Sequence, residues 1–175
     1  MHYKVKKNTK IPYAIAIVAA CLSVAFLYTG SFGIGNVMMQ QIMMLVCATV
    51  AVYVLIRYVL TDHVYVISDS RPYTLEIVRV CGKNPKPMAS FEMSGDDVLL
   101  SVQKGESLKK YGKIKRKENF CSNIFPRERY VYIVNTENGR VACYLEMEKD
   151  VAKILSDRIN ELHTNKIYQQ NGETL

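Results

Sequence analysis

Residues 11–56 read IPYAIAIVAACLSVAFLYTGSFGIGNVMMQQIMMLVCATVAVYVLI, 46 consecutive positions between Lys10 and Arg57 without one charged side chain. A bilayer core about 30 Å thick takes roughly 20 apolar residues per helical crossing, so the run suffices for two crossings if it contains a turn. Thr29-Gly30-Ser31-Phe32-Gly33-Ile34-Gly35-Asn36 supplies that turn, gathering Gly, Ser and Asn among aliphatic neighbours. The spacing predicts helices over about 11–28 and 37–60, with Pro12 in the first turn, where a missing N–H does no harm. An ordinary soluble chain is excluded, because the rest of the 175 residues cannot bury so long an apolar run.

Lys4, Lys6, Lys7 and Lys10 precede the first helix, the turn carries no cation, and Arg57 marks the end of the second. Excess basic charge stays on the cytoplasmic side, so both termini are expected there, in a cell or inner membrane. Val18-Ala19-Ala20-Cys21 resembles a lipoprotein lipobox, but the apolar run continues straight through 22–27, and Cys21 reads better as a small residue within a span. Ala16/Ala20 and Ala19/Ser23 have the small-xxx-small spacing of close helix contact, within the hairpin or between copies. Gln40, Gln41 and Thr49 are too few to line a pathway. Met38, Met39, Met43 and Met44 fit flexible packing better than a soft-metal set.

All 16 acidic residues fall between Asp62 and Glu173, so the remainder is a normally charged, water-facing segment. Strand-like runs occur at 63–68, 73–80, 89–93, 98–103 and around 107–115, with 81–87 (CGKNPKP) reading as a turn. Runs at 129–135 and 140–147 are joined through Asn138-Gly139, a pair favouring the φ > 0 turns of hairpins. The period then becomes helical, with Val151, Ile154, Leu155, Ile159 and Leu162 on one face, and 165–175 is a polar tail.

About seven short antiparallel strands followed by one amphipathic helix resemble the pleckstrin-homology-like (PH-like) fold. A two-helix hairpin ahead of it is similar to bacterial membrane proteins that carry PH-like domains, mostly of uncharacterised function. The expected organisation is a basic N-terminus (1–10), a transmembrane hairpin (11–60), a PH-like domain (61–164) and the tail. The resemblance implies no headgroup site at the first interstrand loop, because Asp69-Ser70-Arg71-Pro72 holds one cation beside one anion.

Lys109, Lys110, Lys113, Lys115, Arg116 and Lys117 form the sharpest charge cluster. Such a cluster is a candidate contact for anionic lipid headgroups, at about 1 kcal/mol per cation near the surface, or for a protein partner. Nucleic acid is disfavoured. Four of the 23 cations are the N-terminal lysines, and the other 19 against 16 acids leave residues 57–175 only +3. Cys81, Cys121 and Cys143 are isolated and the three histidines lack ligand spacing, so no metal, cofactor or catalytic residue is expected. A thiol enzyme would need a base beside Cys121, within the mixed segment 119–129. The reading that results is a membrane-anchored interaction module. The alternative is an accessory subunit whose hairpin is itself the contact surface, with the thiol enzyme a distant third.

Overall fold

The apolar run folds as two antiparallel helices in the computed structural model, which describes residues 1–32, 35–102 and 108–172. Gly33 and Ile34 of the turn lie outside the described residues, as do residues 103–107 at the start of the basic segment. The chain divides into two compact units, one of Lys6–Asp62 and one of Met1–Val5 with His63–Leu175.

In the helical unit, α1 spans Lys10–Ser31 and α2 spans Val37–Val54, the latter continued by a wider π-type turn at Leu55–Leu60. Asn36 caps α2 by accepting from the amides of Met38 and Met39. The less exposed positions of α1 are 12, 16, 19, 23, 26 and 29, and those of α2 are 40, 44, 47, 51 and 54. Both sets step by four and three, the spacing of two helices that meet along one seam. Ala16, Ala19 and Ala51 keep that seam close, and Ser23 Oγ donates to Met44 O across it at 3.1 Å. Ala20 faces outward, and so do Met38, Met39 and Met43, so the four methionines do not converge. Lys7 Nζ donates to Val59 O, Thr61 O and Asp62 Oδ1 at 2.6–3.1 Å. It thereby serves carbonyls that the end of α2 leaves without helical partners.

In the other unit the strands are β1 (His2–Lys4), β2 (Thr61–Ile67), β3 (Thr74–Cys81), β4 (Asn84–Glu92), β5 (Val98–Ser101), β6 (Ile114–Asn119), β7 (Arg129–Thr136) and β8 (Gly139–Glu146), followed by helix α3 (Lys149–Gly172). They form two four-stranded sheets, ordered β1-β2-β3-β4 and β5-β7-β8-β6. Buried Tyr65, Ile67, Leu75, Ile77, Tyr132 and Leu145 fill the core between them, and α3 closes it with Val151, Ala152, Leu155 and Ile159. Gly95 lets the β4–β5 connection reach α3, because a Cβ there would stand 2.9 Å from His163 Cα.

Five expectations change. The described strands number eight rather than about seven, because residues 2–4 of the basic N-terminus pair antiparallel with β2, Tyr3 opposite Tyr65. The strands are not all antiparallel. β6 runs parallel to β8, since the long 120–128 connection lets the chain cross back before β7 begins. The turn expected over 81–87 narrows to Gly82-Lys83, with Gly82 at positive φ (+63°), while Asn84–Pro87 already belong to β4, Pro85 and Pro87 opposite Val80 and Val78. Proline is tolerated there because β4 is an edge strand, and it leaves that edge poorly able to accept another strand. The strand expected around 107–115 starts at Ile114 and is preceded by a 3-10 turn at Leu108–Tyr111. In the β7–β8 hairpin only Gly139 takes positive φ (+107°), with Thr136 opposite Gly139. Helix α3 runs on into the polar tail as far as Gly172.

Candidate functional site

The basic segment is amphipathic. Leu108, Tyr111 and Ile114 pack on Val131, Ile133 and Ala142, a small second core on the outer face of the β5-β7-β8-β6 sheet. That explains why Val131–Val134 are all buried although side chains alternate along a strand. Lys110, Lys113, Lys115, Arg116 and Lys117 are exposed, while the Lys109 side chain lies outside the described residues. Arg116 pairs with Glu118 at 2.6 Å, and the Lys115 stem lies over Gly139. Arg140 donates to Tyr111 O and so ties the strap to the β7–β8 hairpin. The cations therefore rim a structural strap, beginning at the Asn138-Gly139 end of the sheet.

The β2–β3 loop is occupied by its own chain. Arg71 Nη2 donates to Glu161 Oε1 of α3 at 2.6 Å, and Tyr73 Oη donates to the same carboxylate. Arg158 Nη1 donates to Tyr73 Oη at 3.1 Å, and its guanidinium lies 4.7 Å from the ring centre. The Arg71 hydrogen bond holds the Glu161 carboxyl below its ordinary range. The single cation of this loop is thus spent on α3, in keeping with the absence of a headgroup cluster.

At the opposite end of β2 lies a buried polar knot. Glu146 accepts from the amides of Ser122 (3.2 Å) and Asn123 (3.0 Å) and from Asn123 Nδ2 (2.6 Å). Ser122 Oγ accepts from the His63 amide at 3.2 Å, and Tyr65 Oη donates to Phe120 O at 3.0 Å. The knot sews β2, β8 and the 120–128 connection together in a low-dielectric setting, where such networks rigidify. Cys121 sits within it, 2% exposed, its thiol near Tyr144 O at 3.8 Å. Burial pushes the Cys143 thiol up to about 12. Above the knot the connection turns outward at Ile124-Phe125-Pro126, and Phe125 is 72% exposed. Among the described residues no three His, Cys, Asp or Glu side chains gather as a metal site would require.

Adjacent Asp96 and Asp97 diverge: Asp96 pairs with Lys166 on the surface, whereas Asp97 turns inward. Tyr132 Oη donates to Asp97 Oδ2 at 2.6 Å and the Ser94 amide donates at 2.8 Å, with Asp97 4% exposed. Desolvation outweighs these bonds and raises the Asp97 pKa. A carboxyl whose folded pKa is raised holds its proton more tightly folded than unfolded, so its contribution to stability is greatest in acid. That contribution is lost as pH rises through the folded pKa. Asp97→Asn removes the titration. Wild type minus Asp97→Asn stability is therefore expected to fall as pH rises from acid through the folded pKa, read from thermal midpoints across pH. A difference that grows with pH would refute the assignment.

Several residues that shape these regions carry only a short local signal. Lys7 read only as a topology charge and β1 as a basic tail, although the alternation Tyr3/Val5 against Lys4 was available. A family model described as "Bacterial PH-like domain (DUF6106)" matches residues 3–165, and the chain belongs to this family. The match takes in both apolar helices, so hairpin and β domain form one family unit. Neither the curated proteins nor the solved structures return a match.

Proposed function

We propose that this bacterial PH-like protein is a membrane-anchored interaction module, its two apolar helices crossing the bilayer and its β domain working at the cytoplasmic face. The observation that carries the reading is the pairing of β1 with β2. The chain leaves one strand, makes the helical hairpin and returns directly into the neighbouring antiparallel strand. A hairpin whose two ends feed adjacent strands of one sheet has both ends on one side of a membrane. The flanking Lys4, Lys6, Lys7, Lys10 and Arg57, against a turn with no cation, put that side in the cytoplasm. Only 11% of each apolar window is buried, whereas a core helix of a soluble protein would be mostly covered.

Tethering raises the domain's effective concentration toward membrane neighbours. We assign Lys109, Lys110, Lys113, Lys115, Arg116 and Lys117 to contact with an acidic protein partner. Strand β6 enters opposite Arg140, six residues along β8 from the Glu146 knot and roughly 20 Å at strand rise, so the segment begins at the far end from His63, where the chain arrives from the hairpin. PH-like domains are generally non-enzymatic, and no reaction is assigned. The accessory-subunit alternative draws on a shallow apolar depression on α1 lined by Ala20, Cys21, Val24 and Ala25. It would show as co-purification of a partner by the hairpin alone.

Thiol labelling in cells tests the topology. Exposed Cys81 is expected to react with a membrane-impermeant maleimide only after permeabilisation, and a Ser31→Cys variant to react in intact cells. Labelling of Cys81 in intact cells would overturn the cytoplasmic assignment. Cross-linked membranes then test the contact: a partner lost on neutralising the six cations supports it, and an unchanged set of partners removes it.

A further inference from the structure

We propose that the 122–126 turn is a foot that sets Phe125 into the headgroup layer of the bilayer crossed by the protein's own hairpin. The inference deepens the membrane-anchored reading and rests on it. Phe125 is 72% exposed and packs into neither core cluster, unlike Phe120 five residues earlier. Its base is held firmly by the Glu146 bonds to Ser122 and Asn123. Pro126 restricts the backbone immediately after it.

Chain length fixes the neighbourhood. His63, whose amide donates to Ser122 Oγ, comes three residues after Leu60, the last residue of the second apolar helix. Three extended residues span at most about 10 Å. The foot is therefore attached beside the point where the chain leaves the hairpin, while the Asp69–Pro72 loop lies at the other end of β2. An apolar side chain on a short tether enters the boundary between headgroups and acyl chains without needing high intrinsic affinity. The charges of the flanking segments offset one another, Arg127, Arg129 and Lys149 against Glu128, Glu148 and Asp150. Lys149 stands 3.9 Å from Glu128. Insertion at this site is thus apolar, indifferent to anionic lipid and to salt. In this it differs from adsorption through the basic segment.

The chain contains no tryptophan, so Phe125→Trp places a single indole at the tip. The full-length variant in neutral phosphatidylcholine vesicles is expected to emit to the blue of a water-exposed indole. Lipids brominated near the headgroup end of the acyl chain should quench it about twofold, unchanged in high salt. Leu45→Trp, on the outward face of α2, reports the anchor itself through mid-chain bromines. Met88→Trp, half-exposed on β4, reports indiscriminate contact with lipid. Quenching of the Leu45 and Phe125 variants but not of the Met88 variant establishes the foot. Quenching at Leu45 alone overturns the foot and leaves the anchor standing, and quenching at neither position removes both. A blue shift at Phe125 without lipid quenching means that protein covers the side chain and overturns the proposal. Equal quenching at Met88 does so too.

Discussion

Replacing Glu146 by alanine is expected to cost the β domain about 3–5 kcal/mol, because it strands three donors that the carboxylate now satisfies. The carboxylate accepts three hydrogen bonds from Ser122 and Asn123 and is only 7% exposed. Alanine leaves all three donors without an acceptor where water enters poorly, at about 1–3 kcal/mol for each such group. The upper sum is not reached, because the connection is at the surface and can open to hydrate its amides. For a domain of this size each kcal/mol lowers the midpoint by about 4 °C or more, so a fall of roughly 12 °C or more is expected. Glu146→Gln should fall between, since its amide oxygen still accepts while its NH2 faces donors. Near-ultraviolet circular dichroism of the full chain in detergent micelles follows the twelve tyrosines through the transition. A midpoint for Glu146→Ala within a few degrees of wild type would mean that the knot is hydrated and contributes little. The substitution also frees the base of the Phe125 foot, so lipid quenching there should weaken below the melting transition.

The parts of this protein that could be read from sequence are those whose signal is periodic and local. Forty-six uncharged residues interrupted by a Gly-rich turn, the runs around Asn138-Gly139, and the 3.6-residue stripe from Val151 to Leu162 each repeat one physical rule several times. The parts that were missed depend on partners distant in sequence. Tyr3 makes a strand only because Tyr65 lies opposite, 62 residues later, and the lysines around it were read as topology charges alone. Glu146 looks like the solvent-facing end of a strand until Ser122 and Asn123 fold over it. The segment 108–117 is dominated to the eye by its cations, whereas Leu108, Tyr111 and Ile114 set its position. Charge is conspicuous in a sequence because it is rare near apolar residues. The three apolar side chains that fix a strap carry no such mark.

Introducing a charge at Val5 has the second largest expected effect, and it acts locally. Val5 is 5% exposed and belongs to the main core cluster, so Val5→Asp forfeits roughly 1.5–3 kcal/mol of apolar burial and buries an unpaired carboxylate. An edge strand has an escape that a central one lacks, because it can undock while the rest of the sheet stays folded. The cost is therefore capped by the docking free energy of β1 itself. That docking comprises the ladder to β2, the stacking of Tyr3 on Tyr65 at 6.3 Å, and the terminal amine's bonds to Ile67 O and Asp69. Two amides report the event: Ile67 N–H donates to Met1 O at 2.9 Å, and Glu148 N–H donates to Tyr3 Oη at 3.2 Å. Their hydrogen exchange should accelerate about a hundredfold, equivalent to roughly 3 kcal/mol of lost protection, while the Ile133 and Ala142 amides of the β7–β8 ladder hold their rates. Uniform acceleration at all four positions would show instead that β1 is integral to the global fold. Exchange rates of Ile67 and Glu148 matching wild type would remove the strand from solution altogether. Val5→Asp leaves Lys4, Lys6, Lys7 and Lys10 in place, so maleimide labelling at Cys81 should not change. If releasing the strand nevertheless inverted the labelling, the β1–β2 pairing rather than the basic charges would be what holds both ends of the hairpin on one side.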